Sequence, residues 1–422
     1  MRSSFVSVGA GRGPDHLHTG APPAPGERPG WAQRGRRRWA GGVVDSGRVS
    51  ETLFDQLRRA PDVEAPDLVA VDATDRLLLD EAAAAVAVHP DDVAVIDDSH
   101  GALTLGAVAL HGARSPRVGQ DLLVGELALA ANAERTGLAG SYRSHPLGPE
   151  LLTGARVVLV QAPKSLAALR EIAEAVAGHA APDVTLFVGG RVKHMTRAMN
   201  DVLGDAFTDV HATLARQKSR VLVAAGPRVP APGPTFPQCR TDGELGLQVC
   251  AHGAAFAGTK LDLGTRALLA VLPGAMPAAA TAVDLGCGTG LLAAALVRSR
   301  PGLRVRASDQ STAAVASASA TVAANGLAGR VDVVREDALS GLADASVDLV
   351  VCNPPFHQGT AVTNGVAERL FTAAARVLRP GGELWTVYNS HLQYRPTLTR
   401  LVGPTRQVSR DQKFTVTASA RR

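Results

Sequence analysis

The sequence predicts an α/β protein: two tandem doubly wound domains, the first a degenerate copy of the second, after a disordered N-terminal tail. Three observations predict this. Short apolar runs alternate with Ala-rich segments of helical length, the pattern of parallel strands with helices on both faces. A proline-dense stretch interrupts that alternation near its middle. Features ahead of the stretch recur behind it at a nearly constant offset.

The chain has 422 residues, 45% hydrophobic and 20% charged, enough for two domains and an appendage. Residues 1–42 hold nine glycines, five prolines and seven arginines against Asp15 and Glu27. Such a composition buries no core, so this segment reads as a disordered tail. It also accounts for the whole net charge of +5, leaving a body that is neutral overall. A nucleic-acid partner would therefore have to be held by a local basic patch.

Residues 43–225 form the first domain. Leu68 to Val71, Val93 to Ile96, Arg156 to Val160, Val184 to Val188 and Arg220 to Ala224 read as buried strands. Residues 226–237 carry five prolines and read as the linker, and residues 238–422 form the second domain. The recurrence sets Asp97 against Asp284 (offset 187), the GLAG of Gly137 against that of Gly326 (offset 189), and Pro163 against Pro354 (offset 191).

In the second copy, V-D-L-G-C-G-T-G (Val283 to Gly290) lies between an apolar strand and the helical run Leu291 to Ser299. A glycine-rich turn there lets a ligand approach main-chain N–H groups at a helix start. The strand Leu303 to Ala307 ends in Ser308-Asp309, where an α/β site places a carboxylate on ribose hydroxyls. These features suit a dinucleotide site or an S-adenosylmethionine site. The spacing Asp284, Gly286, Gly288, Gly290 resembles the class I methyltransferase motif more closely than G-x-G-x-x-G. Asp337-Ala338, after the strand Val331 to Val334, resembles that family's adenine-binding position.

At the end of the strand Val347 to Cys352 stands Asn353-Pro354-Pro355-Phe356. It resembles the N-P-P-[YF] motif of methyltransferases that modify planar nitrogens. An exocyclic amine conjugated to a ring is a poor nucleophile, so its lone pair must be aimed at the sulfonium methyl. The resemblance implies that the Asn353 side-chain oxygen and the Pro354 carbonyl accept the two N–H bonds and stabilise charge developing on nitrogen. Pro355 would stiffen the turn and Phe356 would stack on the base. Asn353, Pro354 and Phe356 are thus the catalytic candidates. Asn353 joins Asp284, Gly286, Gly288, Gly290, Asp309, Asp337 and Ala338 as a cofactor candidate.

The wider segments NPPFHQGTAVTNGVAERLF, RPGGELWTVYNSHLQY and DQKFTV resemble the bacterial ribosomal RNA guanine-N2 methyltransferases of the tandem-domain type. The resemblance covers residues 50 to 420 and is stronger in the second copy. It implies two Rossmann-like methyltransferase domains closed by a C-terminal hairpin near Lys413 to Ala418, S-adenosylmethionine as cofactor and ribosomal RNA as partner. It also places His357, Asn389, His391 and Tyr394 near the target base, with a surface-helix role open for the last two, and makes Phe256, Lys260 and Asp262 lid residues.

In the first copy, Ser99 and Leu103 replace Gly286 and Gly290, and Ala162-Pro163-Lys164 replaces Asn353-Pro354-Pro355. That copy is expected to hold RNA instead, through Lys164, Arg191, Lys193 and Lys218. Substrate candidates are therefore these four with Pro355, Phe356 and His357. Cys239, Cys250, Cys287 and Cys352 lack C-x-x-C spacing, which argues against zinc and disulfides and fits a reducing cytoplasm. No metal is expected. The longest apolar stretch, Ala267 to Val283, is broken by two prolines and predicts no membrane span. The chain reads as a monomeric methyltransferase acting on guanosine N2 of ribosomal RNA. Two alternatives are a protein glutamine N-methyltransferase of release-factor type and a non-catalytic RNA-binding assembly factor.

Overall fold

Runs of Val, Leu, Ile and Ala can pair on both edges and be covered on both faces, and here they build two seven-stranded sheets. The computed structural model describes residues 52–229, 233, 235–355 and 360–422, the side chains of 360–364 excepted. The expected tail, residues 1–42, lies outside the described residues.

The first sheet is built by α1 (Ala73–Val88), β1 (Val93–Ile96), α2 (Ala102–His111), β2 (Arg117–Gly119), α3 (Leu123–Arg135), β3 (Arg143–Ser144), α4 (Pro149–Leu152), β4 (Val157–Gln161), α5 (Leu166–His179), β5 (Thr185–Arg191), α6 (Arg197–Ala206), β6 (Phe207–Ala212) and β7 (Ser219–Pro227). Its strand order is β3-β2-β1-β4-β5-β7-β6, with β7 antiparallel to both neighbours. A hairpin follows, β8 (Gln238–Asp242) and β9 (Leu247–Ala251). The second sheet is built by α7 (Leu263–Leu269), β10 (Thr281–Leu285), α8 (Leu291–Ser299), β11 (Arg304–Asp309), α9 (Thr312–Ala324), β12 (Val331–Arg335), β13 (Val347–Cys352), α10 (Thr360–Val377), β14 (Leu378–Asn389), α11 (Arg395–Leu401), β15 (Thr405–Arg410) and β16 (Phe414–Ala420). Its order, β12-β11-β10-β13-β14-β16-β15, repeats the first strand for strand. The C-terminal hairpin is β15–β16.

All four residues of β1 are buried, two toward the helices α1 and α2 and two toward α5 and α6. Each such Val or Ile contributes roughly 1.5–3 kcal/mol of burial. Leu68 to Val71, expected as a strand, is not one. Ala70 and Val71 pack on the core while Val69 stays exposed, and the segment leads into Asp72, the N-cap of α1. An apolar run without a partner edge does not become a strand. The expectation against disulfides also fails: Cys239 and Cys250 stand directly opposite each other in the β8–β9 hairpin and are bonded.

The structure corrects the alignment of the two copies. Ile96 lies opposite Gly119 and Val160, and Leu285 lies opposite Ser308 and Cys352. Asp97 and Gly286 are both left-handed, with φ of 59° and 72°, and Gly101 and Gly290 are the left-handed N-caps of α2 and α8. The offset is therefore 189 here. Val95 stands at the place of Asp284, Asp97 at Gly286, Ser99 at Gly288, Gly101 at Gly290 and Gln120 at Asp309. On β4 and β13 the same pairing sets Gln161, and not Ala162, at the place of Asn353.

The two halves meet through equivalent segments. Leu123 N donates to Gln310 O and Thr312 N donates to Asp121 O, each at 2.9 Å, around the antiparallel bridge Leu122–Ser311. With the offset of 189, Asp121 corresponds to Gln310, Leu122 to Ser311 and Leu123 to Thr312, so the junction has local two-fold symmetry. Arg335 strengthens it, reaching Glu126 at 2.8 Å and Asp121 O at 3.0 Å. A second junction joins α5 to the segment after β9. Glu171 accepts from Gly253 N at 2.7 Å and pairs with His252 at 2.5 Å, and Ser165 Oγ donates to Gly253 O at 3.1 Å. A Cβ at Gly253 would sit 2.3 Å from Ala167 O, so the approach there requires glycine.

Candidate active site

Loops at the C-terminal ends of the parallel strands β10, β11, β12 and β13 surround a cavity of about 720 Å³. In doubly wound sheets ligands bind at that edge. Asp284, Gly286, Gly288 and Gly290 form its glycine loop. The Asp284 side chain is fully buried under the loop, where its Oδ2 accepts from Ala293 N at 3.0 Å. Its Oδ1 has no partner among the described residues. Burial pushes its carboxyl up to about 7, with the charge of Asp309 adding to the shift. Gly286 N and Cys287 N both donate to Ser308 O, at 2.8 and 3.0 Å, which stitches the loop to the tip of β11. Gly290 must be glycine: its φ is 72°, and a Cβ would come within 2.9 Å of Ala318 Cβ.

Asp309, at the end of β11, is held from two sides. Its Oδ2 accepts from Gly288 N and its Oδ1 from Ser311 N, both at 3.0 Å. Burial raises its carboxyl above the ordinary carboxylate range while those two donors oppose the rise. Asp337 and Ala338 line the same cavity after β12. The Asp337 carboxylate forms an ion pair with Arg369, which also donates to Pro61 O at 3.1 Å, a contact to the other half of the molecule. Burial raises the Asp337 carboxyl and Arg369 counters it.

Asn353, just past β13, forms the far wall. Its Nδ2 donates to Thr265 Oγ1 at 3.1 Å and lies 3.4 and 3.5 Å from the two carboxylate oxygens of Asp262. Asp262 is itself fixed as the N-cap of α7, accepting from Gly264 N at 2.9 Å. The amide orientation is thereby set, and Asn353 Oδ1 is left buried without a partner among the described residues. Pro354 is buried and Pro355 exposed on the cavity wall. Phe356 and His357 lie outside the described residues. Thr265 gave no signal in the sequence, since it stands 88 residues from its partner.

The lid candidates Phe256 and Lys260 line the cavity with Asp262. Asn389 ends β14, and His391 is exposed in the turn that follows. Tyr394 is 5% exposed and packs against Phe371 and Tyr388, with ring centroids 5.6 and 5.4 Å apart. It is a core side chain, which removes the surface-helix reading. Its apolar ring outweighs its hydroxyl in this environment.

The equivalent place in the first copy carries different side chains, hydrogen-bonded within that copy. Val95 removes the carboxylate of Asp284, and Asp97 puts one where Gly286 is bare. Gln120, in the place of Asp309, is buried with its amide on Asp98 O. Gln161, in the place of Asn353, accepts from Ser99 Oγ at 2.7 Å and donates to Asp75. The residues that set this copy apart from the second are Val95, Asp97, Gln120 and Gln161 rather than Leu103 and Ala162.

Among the basic candidates, Lys164 follows β4 and lines the mouth of the second copy's cavity. Arg191 ends β5 opposite Ser219, and Val192 N donates to Lys218 O at 2.9 Å. Arg191, Lys193 and Lys218 therefore share one corner of the first sheet, with Lys193 and Lys218 exposed. Arg191 also faces Asp72, at 3.5 Å. Among the described residues no cluster of three or more His, Cys, Asp or Glu is placed to hold a metal ion, and no helix is long and apolar enough to cross a membrane.

Residues 246–418 match the Methyltransferase small domain family, and residues 49–228 match the RLMG N-terminal domain family. A Pseudomonas paraeruginosa protein named ribosomal RNA large subunit methyltransferase G is 37% identical over 369 residues, 86% of this chain and 97% of that protein. A Streptomyces coelicolor protein of the same name is 38% identical over 368 residues, 85% of this chain and 96% of that protein. Among solved structures, a T. thermophilus 16S rRNA N2 methyltransferase in complex with AdoMet and guanosine superposes with a TM-score of 0.67 at 22% identity, over 83% of this chain and 92% of that one. That likeness establishes the two-domain fold. The relatives span nearly the whole of both domains, and the chain belongs to the ribosomal RNA large subunit methyltransferase G family.

Proposed function

We propose that the chain methylates the exocyclic N2 of a guanosine in large-subunit ribosomal RNA, with Asn353 as the group that receives the target amine. One observation carries this reading: Asn353 lines the cavity and holds a buried side-chain acceptor, Oδ1, with no partner among the described residues, while its amide nitrogen is tied back to Thr265. A buried polar atom left unmatched costs about 1–3 kcal/mol unless a ligand completes it. An amine with two N–H groups is the complementary ligand.

The enzyme uses S-adenosylmethionine, and the cavity residues fit that cofactor. A carboxylate stands at the ribose position in Asp309, the glycine loop offers main-chain groups without Cβ atoms, and the Asp337-Ala338 turn closes the side where an adenine would lie. Bound there, the cofactor supplies an electrophilic methyl group on a sulfonium. Asn353 Oδ1 and the Pro354 carbonyl orient the amine lone pair and stabilise the positive charge that grows on nitrogen. Phe356 and His357 would stack on and contact the base. No strong base is needed, because the methylated nitrogen becomes acidic and releases its proton to water. The target base must leave its stack to reach Asn353.

The corner formed by Arg191, Lys193 and Lys218, with Lys164 at the cavity mouth, supplies phosphate contacts that place the RNA without reading its sequence. The enzyme would act as a monomer in the cytoplasm, on naked or partly assembled subunit RNA. The test is transfer of labelled methyl to 16S and 23S RNA in parallel, with nucleoside analysis of the product. The expected outcome is N2-methylguanosine in 23S RNA, lost in Asn353→Ala. Transfer to a release-factor glutamine, or cofactor binding without turnover on RNA or subunits, would overturn it.

A further inference from the structure

We propose that Asp121, a residue of the degenerate half, is a positioning residue for the cofactor cavity of the catalytic half. Its carboxylate Oδ1 accepts from Ser311 Oγ and from Ala313 N, both at 2.9 Å, and its main-chain oxygen accepts from Thr312 N at 2.9 Å. Three successive residues of the second domain are thus pinned by one residue of the first. They are the residues that follow Asp309, whose own Oδ1 is held by Ser311 N. Ser311 is therefore gripped from both sides, by Asp309 along the chain and by Asp121 across the junction. The Asp121 charge also sits at the start of α9, where free N–H groups and the helix dipole favour an anion.

This arrangement is one-sided although the junction is symmetric. The reciprocal helix, α3, has Leu122 as its N-cap and receives no side-chain cap among the described residues. The carboxylate is present only on the side that faces the working cavity, and Asp121 itself lines that cavity with Leu122. Holding α9 and the Asp309 turn in place is work that the catalytic half does not do alone. The catalytically degenerate domain thus contributes to cofactor affinity as well as to RNA docking.

The proposal rests on the reading that Asp309 holds the cofactor, so the experiment includes that residue. S-adenosylmethionine affinity is measured by calorimetric titration for the full-length protein and for Asp121→Ala, Asp121→Asn, Asp309→Ala and Glu126→Gln, alongside RNA affinity and melting. Asp121→Ala is expected to weaken cofactor binding about tenfold, the order of one charged hydrogen bond, with RNA affinity unchanged. Asp121→Asn keeps the Oδ1 acceptor and should return affinity to within about twofold. Glu126→Gln removes the charge from the Arg335 pair at the same junction but leaves residues 311–313 held, so its cofactor affinity should match wild type. If Asp121→Ala fails to fold, Ser311→Ala deletes one of the two carboxylate bonds together with the α9 cap on Ala314 N at 3.0 Å, and should weaken binding by about threefold to tenfold. Wild-type affinity in Asp121→Ala beside a weakened Asp309→Ala overturns the proposal, as does equal weakening in Glu126→Gln. Wild-type affinity in Asp309→Ala shows instead that the assignment of Asp309 is at fault, and the proposal falls with it.

Discussion

Replacing Thr265 with Val tests whether the orientation of the Asn353 amide is what the enzyme uses. Val has the shape of Thr and branches at the same carbon, and Thr265 is 9% exposed, so the change opens no cavity and its main effect is loss of the hydroxyl and its hydrogen bond. It removes the 3.1 Å acceptor for Asn353 Nδ2, leaving the Asp262 carboxylate at 3.4 and 3.5 Å. A neutral hydrogen bond contributes about 0.5–1.5 kcal/mol net, and that energy anchors the Asn353 amide in the orientation that the acceptor-only Asp262 carboxylate selects. A loss of that size corresponds to a rate reduction of roughly twofold to tenfold. The expected result is a fall in kcat of that order with the KM for S-adenosylmethionine unchanged, measured as labelled methyl transfer to RNA. Thr265→Ser should retain the wild-type rate. In an Asn353→Ala background the same Val substitution should add nothing, because the group it orients is gone. If Thr265→Val slows Asn353→Ala as much as it slows the wild type, the hydroxyl acts by another route and the orienting role is refuted.

Gly290→Ala places a Cβ 2.9 Å from Ala318 Cβ at a φ of 72°, and should cost about 1–3 kcal/mol, seen as a melting temperature lower by several degrees in calorimetry. Burial pushes Asp284 and Asp75 up to about 7 and Asp97 up to about 6, above the ordinary carboxylate value near about 4 that holds in the unfolded chain. Their contribution to stability is therefore full below about pH 4 and is lost as pH rises toward 7, by at most about 1.4 kcal/mol per pH unit for each group. Urea midpoints should fall over that window, and Asp284→Asn should fall less steeply; an identical slope would count against a buried, proton-holding Asp284. Changing both Lys193 and Lys218 to Ala should weaken RNA binding and lower the slope of log affinity against log salt by about 1.4, the single-strand value for two phosphates, with cofactor affinity unchanged.

Much of the fold was legible because it rests on local pattern. Val93 to Ile96 and Val347 to Cys352 are apolar runs of strand length, and both are strands with those bounds. The glycine loop, Asp309 and Asn353 were legible because each sits where a strand meets a loop, and the structure gathers them round one cavity. What was not legible depends on partners distant in sequence. Asp97 and Asp284 are the same residue type two positions out of register, whereas the true equivalence follows from strand pairing and left-handed backbone. The short, exposed β3 has no hydrophobic signal at Arg143–Ser144. Leu68 to Val71 had the signal without a neighbour. The bond between Cys239 and Cys250 follows from a hairpin register that C-x-x-C counting does not see. Asp121, Thr265 and Glu171 carry no periodicity; only the folded chain brings them to the loops they hold.

The local two-fold at the junction has a consequence for how this chain could come about. Equivalent segments paired through reciprocal bonds, Leu123 to Gln310 and Thr312 to Asp121, are the geometry by which two identical subunits make a closed dimer. In such a dimer every change at the contact appears twice, so a residue good for one partner must also suit the other. Once the two copies share a chain that constraint is lifted. One side can become Asp121 while its counterpart becomes Gln310, and one copy can carry Gln120 and Gln161 where the other carries Asp309 and Asn353. The molecule then behaves as a dimer whose subunits have been allowed to specialise, at a fixed ratio of one to one and with no equilibrium of association to maintain.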